Sequence, residues 1–347
     1  MNRRAARSDF ASDNTAGICP EARAMLEAAN VDAALSYGDD QWTARACDLI
    51  RDLFETDCDV YFVFNGTAAN ALALAQLCQP HHSIICHERA HLQTDECGAS
   101  EFFTHGAKLL LVPSANGKID INDAAKIIAR QGELHAQQPR VLSLTQSTEF
   151  GTVYTAGEIE TLGEFVHQRS LLLHMDGARF ANAVAALDCA PKEITWQCGV
   201  DVLCFGGTKN GVAAGELVIF FEKELGREFE YRVKQAGQLA SKMRFLAAPW
   251  VGLLTDGVWL RNARRANGMA ARLAERLRAE TKIDIVFPVE ANAVFLRLSE
   301  RCATGLHERG WEFYRFIEPD VHRVMCSWCT TEQTIADFVA DAVATNI

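Results

Sequence analysis

Short apolar segments alternate with longer amphipathic segments over the first two thirds of the chain. Seven apolar segments have the length of buried strands: residues 59–64, 83–86, 108–112, 141–144, 171–175, 202–205 and 216–221. Between them, apolar residues recur three and four positions apart in 68–77, 121–129 and 157–167, which predicts helices. Strands that alternate with helices form parallel sheets covered on both faces, so the pattern predicts an α/β fold with a mainly parallel seven-stranded sheet sandwiched by helices.

The pattern changes after residue 221. A basic, helix-like segment covers residues 223–244, and long helical patterns follow over 251–279. Strand-like segments at 283–286, 293–298 and 322–327 and a closing helix from Thr331 then predict a smaller α+β domain. We therefore expect an N-terminal arm (1–20), a large α/β domain (21–250) and a small C-terminal domain (251–347), tightly packed with a site between or beside them.

Composition and charge argue against two classes of partner. The chain has 347 residues, a net charge of −11 and no Lys/Arg-rich run, so a nucleic-acid partner is not expected. No apolar run is long enough to cross a bilayer, so we expect no membrane association. The first fourteen residues contain arginines but no apolar segment after them, which is not the pattern of a signal peptide.

Most of the twelve cysteines stand singly inside apolar segments. They are typical of small buried hydrophobic residues in a reducing compartment, and we expect a cytoplasmic protein. One Cys-x-x-Cys pair occurs at Cys326 and Cys329, with only His322 nearby. A zinc site needs more ligands than this, so we expect no metal.

The segment CFGGTKNG, residues 204–211, places Lys209 among glycines directly after an apolar strand. One interpretation is a surface turn, in which the glycines adopt positive φ and the lysine points into water. The other is a lysine retained for chemistry, because a desolvated ammonium is costly unless it is paired, neutralised or covalently used.

Two other strand ends carry polar residues, and ligands bind beyond such ends in open parallel sheets. Asn65-Gly66-Thr67 opens a helix and can hold a phosphate, although it is also an ordinary helix start. Asp176 ends the fifth strand, and it can pair with Arg179 or hold a cationic ring nitrogen. A lysine, an acid and a phosphate cradle together are what pyridoxal phosphate needs.

Several segments resemble the threonine aldolase family of fold-type-I pyridoxal phosphate enzymes. They are HMDGARFANAV (174–184), GGTKNG (206–211), NGTAAN (65–70), SYGDDQWT (36–43), HLQTDECGA (91–99) and FASDNTAGICPEARAMLEA (10–28). The resemblance covers nearly the whole chain. It implies that fold, that cofactor and a homodimer or homotetramer whose active site is shared between subunits.

The resemblance also implies roles for individual residues. Lys209 is similar to the lysine that forms the Schiff base, Asp176 to the partner of the pyridine nitrogen, and His91 to a residue above the ring near the substrate hydroxyl. Further cofactor-binding positions are Gly66, Thr67, Arg179 and Thr208, with Arg244 and Lys234 reaching the cofactor phosphate of a neighbouring subunit. The substrate-binding positions are Ser12, Tyr37, Arg179 and Arg323.

The implied reaction is retro-aldol cleavage of L-threonine, L-allo-threonine and related β-hydroxy-α-amino acids to glycine and an aldehyde. Alternatives are β-elimination from aromatic amino acids on the same fold and, in another class, a non-catalytic binding protein. A dinucleotide-dependent enzyme is not expected, because the sequence lacks the glycine-rich fingerprint of dinucleotide-binding folds. Some family members have a second histidine after the fourth strand, where this chain reads TQSTEFG (145–151). Glu149 or water are open alternatives for its role.

Overall fold

The computed structural model describes residues 7–345. The strands in that range are β1 (Asp59–Val63), β2 (His82–His87), β3 (Lys108–Val112), β4 (Gln138–Thr145), β5 (Leu172–Gly177), β6 (Val202–Phe205), β7 (Glu216–Phe220), β8 (Asp284–Ile285), β9 (Ala293–Arg297), β10 (Tyr314–Ile317) and β11 (Val321–Met325). The α-helices are α1 (Pro20–Ala29), α2 (Gln41–Phe54), α3 (Gly66–Leu77), α4 (His91–Thr94), α5 (Ala99–Phe103), α6 (Ile121–Ile128), α7 (Ala156–His167), α8 (Phe180–Leu187), α9 (Phe229–Gln235), α10 (Arg244–Leu254), α11 (Val258–Glu280), α12 (Glu300–Glu308) and α13 (Glu332–Thr345). Short 3₁₀ helices at Asp13–Thr15 and Thr208–Asn210 contribute to the site described below.

The first seven strands form one sheet in the order β1-β7-β6-β5-β4-β2-β3. The pairs β6–β5, β5–β4, β4–β2 and β2–β3 are parallel, whereas β7 is antiparallel to both of its neighbours. Strand β7 is therefore the single reversed strand of this sheet. The predicted mainly parallel seven-stranded sheet is confirmed.

Burial on both faces explains why the strands are continuously apolar. Along β6, Val202 and Cys204 pack in the core formed with α3, whereas Leu203 and Phe205 pack in the core on the opposite face, where Trp250 of α10 also lies. All four strand residues are buried. Alternate side chains thus need apolar surroundings on both sides of the sheet.

A second sheet has the order β10-β11-β9-β8, with antiparallel pairing throughout. The three strands expected in this part of the chain are confirmed. Strand β10 was not expected. It is an edge strand, and the exposed side chains of Tyr314 and Arg315 give it no apolar alternation.

The prediction of one helical segment over residues 223–244 is wrong for most of that range. Between residues 223 and 243 only α9 is α-helical, and residues 236–243 form a loop that ends where α10 begins. Helices α10 and α11 are separated at Asp256 and Gly257, whose φ angles are 53° and 67°. No helix in residues 7–345 is both long and apolar enough to cross a membrane.

Two hydrophobic cores meet along α11. Trp259 near its start packs in the core of the seven-stranded sheet, whereas Leu273 and Leu277 pack in the core of the four-stranded sheet. The expected domain boundary at residues 250–251 stays a prediction.

The segment that precedes α1 contacts both cores. Phe10 is fully buried against Trp311 and Phe338 of the small domain, with ring centroids 5.5 and 4.9 Å away. The backbone N–H of Cys19 then donates to the carbonyl of Gly211, beside the Lys209 turn, at 2.8 Å. The chain thus passes from the small core to the carboxyl ends of the large sheet. Residues 1–6 of the expected arm lie outside the described residues.

Candidate active site

A cleft with two connected cavities lies at the carboxyl ends of β5 and β6. The first cavity, of about 440 Å³, is here called the inner lobe; its polar lining includes Asn65, Thr67, Asn70, His91, Asp176, Thr208, Lys209 and Glu216. The second, of about 480 Å³, is the outer lobe; its lining includes Ser12, Arg89, His91, Asp95, Glu149, Arg179, Lys209, Tyr314, Arg315 and Arg323. Lys209 and His91 line both lobes.

The turn that carries Lys209 is shaped by close packing. A Cβ on Gly206 would lie 2.4 Å from the carbonyl oxygen of Ala178, and one on Gly207 would lie 2.4 Å from the ring of Trp250. Neither glycine has positive φ, whereas Gly211 has a φ of 120°. The interpretation as a surface turn is therefore wrong. These glycines let the turn approach the sheet closely enough to place the lysine in the cleft.

The surroundings of Lys209 lower the pKa of its amine. Burial lowers the pKa of Lys209 below its usual 10.5, and the positive charge of Arg179 lowers it further. The carboxylates of Asp13, Glu149 and Asp176 oppose this effect. Because an amine attacks carbonyl groups only when unprotonated, the lower pKa prepares Lys209 to act as a nucleophile.

A hydrogen-bonded row of side chains joins Asp176 to His91. The amide nitrogen of Asn70 donates to Asp176 Oδ2 and to Glu96 Oε1, both at 2.9 Å. His91 Nδ1 lies 2.9 Å from the same oxygen of Glu96, and the backbone N–H of Ala178 donates to Asp176 Oδ1 at 3.0 Å. Asp176 and Glu96 are almost inaccessible to solvent, so this row holds both carboxylates in place.

Glu96 sets the hydrogen-bonding state of His91. The hydrogen bond to Glu96 raises the pKa of His91 above its usual 6.5; burial opposes it, and the carboxylates of Asp176 and Glu149 add to the rise. Burial raises the pKa of Glu96 itself, although its hydrogen bonds with His91 and Asn70 oppose this. When His91 is neutral and donates from Nδ1 to the Glu96 carboxylate, its Nε2 is an acceptor that faces the cleft.

The start of α3 forms one end of the inner lobe. Asn65 caps the helix by accepting from the backbone N–H of Ala68 at 2.9 Å. A Cβ on Gly66 would meet no atom within 4 Å. The buried hydroxyl of Thr208 lies near the carboxylate of Glu216 but has no partner in hydrogen-bonding geometry among residues 7–345. Free backbone N–H groups, open space and an unpartnered hydroxyl suit the phosphate of the expected cofactor.

A buried ion pair forms the base of the outer lobe. Arg179 donates to both oxygens of Asp13, at 2.7 and 2.9 Å. Asn292 of the small domain donates to Asp13 Oδ2 at 3.0 Å. The partner of Arg179 is therefore Asp13 and not Asp176, the alternative that the sequence suggested.

The surroundings of the outer lobe shift the pKa values of Asp13 and Arg323. Burial alone would raise the pKa of Asp13, but the positive charges of Arg179 and Lys209 and the hydrogen bonds it accepts lower it to about 2. Burial lowers the pKa of Arg323, and Arg179 adds to this effect, whereas Glu149 and Asp13 oppose it. The buried Nε of Arg323 has no hydrogen-bond partner among the described residues. Arg323 is thus available to bind an anion.

Comparisons with known proteins agree with this geometry. The family model of the beta-eliminating lyases matches residues 9–301. The chain is 54% identical to the low specificity L-threonine aldolase of a Pseudomonas species and 55% identical to that of Pseudomonas aeruginosa, and each alignment covers 96% of both proteins. The chain belongs to the beta-eliminating lyase family. A solved threonine aldolase of Leishmania major, 28% identical, matches 98% of this chain and 100% of its own with a TM-score of 0.92, which confirms the expected fold.

Within this beta-eliminating lyase, most of the expected site residues come together. The two lobes collect the residues that the resemblance named around Lys209: Ser12, Gly66, Thr67, His91, Asp176, Arg179, Thr208 and Arg323.

Three expected site residues do not line either lobe of the described chain. Lys234 lies over the ring of Tyr37, with its Nζ 4.4 Å from the ring centroid, and Tyr37 is half exposed. Arg244 begins α10 and lies against the ring of Phe245, and its buried Nε is without a hydrogen-bond partner among residues 7–345. Their roles stay predictions, because those assigned to Lys234 and Arg244 concern a neighbouring subunit.

Asp13, Asn70, Glu96 and Asn292 form hydrogen bonds with residues of this lyase site, and the sequence did not assign them a role. Asp13, Asn70 and Glu96 stood inside quoted motifs, but nothing in the motifs indicated their hydrogen bonds. The two cysteines of the Cys-x-x-Cys pair differ in their exposure: Cys326 is buried and Cys329 is exposed. Residues 7–345 contain no cluster of three or more histidine, cysteine or acidic side chains that could hold a metal ion.

Proposed function

We propose that this chain is a lyase that cleaves L-threonine, L-allo-threonine and related β-hydroxy-α-amino acids to glycine and an aldehyde, with pyridoxal phosphate as its cofactor. The observation that carries the proposal is the position of Lys209. It lies between an inner lobe that contains Asp176 and the start of α3 and an outer lobe in which the buried Nε of Arg323 has no hydrogen-bond partner among the described residues. The relatives named low specificity L-threonine aldolase support the same reaction.

The inner lobe would hold the cofactor. The phosphate would be bound by the backbone N–H groups of Gly66 and Thr67 and by the hydroxyl of Thr208. Asp176 would accept a hydrogen bond from the protonated ring nitrogen. Bound in this way, pyridoxal phosphate supplies a carbonyl that condenses with amines and a ring that draws electrons from the substrate α-carbon. Asn70 keeps Asp176 in place for this contact through its hydrogen bond.

The outer lobe would bind the amino acid. Arg323 provides the unpartnered positive charge for the substrate carboxylate, and Arg179 and Ser12 line the same cavity. Asp13 holds the guanidinium of Arg179 in one orientation through two hydrogen bonds. If the substrate carboxylate is held by Arg323 and its amine points to the inner lobe, the direction of the Cα–Cβ bond is fixed, and the bond can be aligned for cleavage.

His91 would accept the proton of the β-hydroxyl group at Nε2. As that O–H bond loses its proton, the C–O bond becomes a carbonyl and the Cα–Cβ bond breaks, so that the aldehyde leaves. The electron pair of the broken bond remains on the α-carbon, which then takes up one proton to become the CH₂ of glycine. Glu96 keeps Nε2 of His91 available by accepting from Nδ1.

We also propose a cytoplasmic homodimer or homotetramer with a shared active site. The buried, unpartnered Nε of Arg244 supports a contact from outside the described chain. Size-exclusion chromatography with light scattering tests this part, and a monomer that is fully active would contradict it.

The decisive experiment combines spectroscopy with product analysis. We expect purified protein with pyridoxal phosphate to show a visible absorption band that shifts to longer wavelength when glycine is added. L-Threonine should yield glycine and acetaldehyde in equal amounts. Release of pyruvate and ammonia from L-tyrosine or L-tryptophan, without cleavage of L-threonine, would support the β-elimination alternative. A protein that does not bind the cofactor would refute the proposal.

A further inference from the structure

The inference below concerns Glu149 and rests on the proposed function. L-Threonine and L-allo-threonine differ only in the arrangement at Cβ, where the hydroxyl and methyl groups exchange places. When the amine, the carboxylate and the Cα–Cβ bond are fixed and the methyl group occupies the same place in both substrates, the two hydroxyl groups point in different directions. A single fixed acceptor then suits one diastereomer better than the other. A site that binds both substrates with the methyl group in one place needs a proton acceptor in each direction.

Glu149 is positioned by a tight turn directly after β4. Gly151 donates its backbone N–H to the carbonyl of Thr148 at 2.9 Å, and Thr148 donates its own N–H to the carbonyl of Thr152 at 2.9 Å. The hydroxyl groups of Thr148 and Thr152 are also hydrogen-bonded, at 2.7 Å. The turn is therefore rigid, and Glu149 is half-buried at its tip, where it lines the outer lobe.

The next residue ties this turn to the small domain. Phe150 is buried and packs edge-on against Phe287 and Phe316, with ring centroids 4.9 and 5.8 Å away. Phe316 in turn lies under the guanidinium of Arg323, at 5.2 Å from its ring centroid. The turn that carries Glu149 is thus linked to the proposed carboxylate-binding arginine through two aromatic side chains.

The charges around Glu149 leave its carboxylate available to a ligand. Its negative charge acts on four groups of the cleft: His91, Arg179, Lys209 and Arg323. Arg179 is already neutralised by its two hydrogen bonds to Asp13. Arg323 is the group proposed to bind the substrate carboxylate, and Lys209 the group proposed to react. Two acidic side chains line the outer lobe, Asp95 and Glu149. Asp95 accepts a hydrogen bond from the hydroxyl of Thr94 at 2.9 Å, whereas Glu149 has no assigned partner among the described residues in this scheme.

We propose that Glu149 is a second proton acceptor for the substrate β-hydroxyl group, which serves the diastereomer whose hydroxyl points away from His91. His91 lines both lobes, whereas Glu149 lines only the outer lobe and enters it from a different loop. The proton moves from the hydroxyl oxygen to a carboxylate oxygen of Glu149 while the C–O bond becomes the carbonyl of the aldehyde and the Cα–Cβ bond breaks. Glu149 then returns the proton to solvent at the open mouth of the lobe.

The test compares both diastereomers in matched variants. Glu149→Gln keeps the size of the side chain but removes its ability to take a proton, and Glu149→Asp keeps a carboxylate on a shorter arm. Glu164→Gln, at an exposed position of α7, is the control for the loss of one negative charge. We expect Glu149→Gln to change the ratio of kcat/KM for L-threonine and L-allo-threonine by about tenfold or more, through kcat. Glu149→Asp should change it less, and the control should not change it.

A variant of His91 should change the ratio of kcat/KM for the two diastereomers in the opposite direction. His91→Asn should shift the same ratio in the other direction from Glu149→Gln. The affinity of the cofactor-free protein for pyridoxal phosphate, measured by fluorescence titration, should be unchanged in Glu149→Gln, which excludes a general loss of structure.

Two results would overturn the inference. One is an equal loss for both diastereomers, and the other is a rise in KM alone, which would make Glu149 a binding residue. If the wild-type protein releases no glycine and acetaldehyde from either diastereomer, the proposed function fails instead. The two failures are therefore distinguishable.

Discussion

The two lobes of the cleft are built in different ways. The inner lobe takes Asp176 and Lys209 from the ends of two neighbouring strands and His91 and Asn70 from the loops and helices that follow strands of the same sheet. The outer lobe joins Asp13 to Arg179 across 166 positions of the chain and to Asn292 across 279 positions.

This difference separates two tasks. The inner lobe depends on the regular geometry of one parallel sheet, which places chemically reactive groups at one edge. The outer lobe depends on how the N-terminal segment and the small domain dock onto that edge. Substitutions in the inner lobe should therefore affect chemistry, whereas substitutions in the outer lobe should affect stability and substrate binding as well.

The largest expected effect is in the inner lobe. Lys209→Ala should lower turnover of L-threonine by at least about a thousandfold, because among the described residues Lys209 is the only lysine that lines either lobe. The variant should still bind pyridoxal phosphate reversibly through Asp176 and the start of α3, and small amines such as methylamine should restore part of the activity. Lys242→Ala, at an exposed position, is the control. Full activity of Lys209→Ala would remove the basis of the proposed function.

The second prediction concerns the outer lobe. Asp13→Asn should destabilise the protein by about 3–5 kcal/mol, because it leaves Arg179 buried without a counter-charge. It should also raise KM, since Arg179 loses its fixed orientation. The control is Asp337→Asn, which removes a half-exposed salt bridge with Arg7 and should cost less than about 1 kcal/mol. Urea unfolding measures the loss of unfolding free energy in both variants. Equal losses in the two would contradict the distinction between the buried ion pair and the half-exposed one.

The stabilisation from Asp13 should also depend on pH. Its pKa of about 2 in the folded protein lies below the usual 3.8, so the contribution is fully present above about pH 4 and is lost as the pH falls through 2. The shift corresponds to about 2 kcal/mol. The difference in unfolding free energy between the wild type and Asp13→Asn should therefore shrink between pH 4 and pH 2.

The smallest expected effect is a shift of a pH profile. Glu96→Gln removes the hydrogen-bonded carboxylate that raises the pKa of His91, so His91 should become neutral at lower pH. His91 must be neutral to accept a proton, and the acid limb of kcat/KM should therefore move to lower pH. At about pH 8 the loss of activity should be less than about tenfold. An acid limb that stays in place would show that His91 does not control it.

Much of the fold could be predicted from the sequence because the large sheet is buried on both faces. The expected bounds of β3 and β6 match the observed ones, since their apolar runs are continuous. Strand β10 was missed because it is an exposed edge strand. The loop at 236–243 was mistaken for helix because a charged segment without a clear apolar face carries little information about its conformation.

The residues of the candidate site also include some that the sequence predicted and some that it did not. The resemblance identified Lys209, Asp176 and His91 because they stand in contiguous motifs. The pairing of Asp13 with Arg179 was not predicted, because an ion pair across so many positions depends on tertiary docking and not on local pattern. The link from Asn70 to Glu96 was missed for the same reason, although each lies near a recognised residue.

The contacts of the N-terminal segment also determine when the site can be completed during synthesis. Residues up to β7 include the lysine, the acid and the helix start of the inner lobe, so these can assemble before the last third of the chain has left the ribosome. Arg7 pairs with Asp337, 330 positions later, and Asp13 needs Asn292. The nascent protein can thus form its inner lobe early, whereas its outer lobe must wait until translation is almost finished.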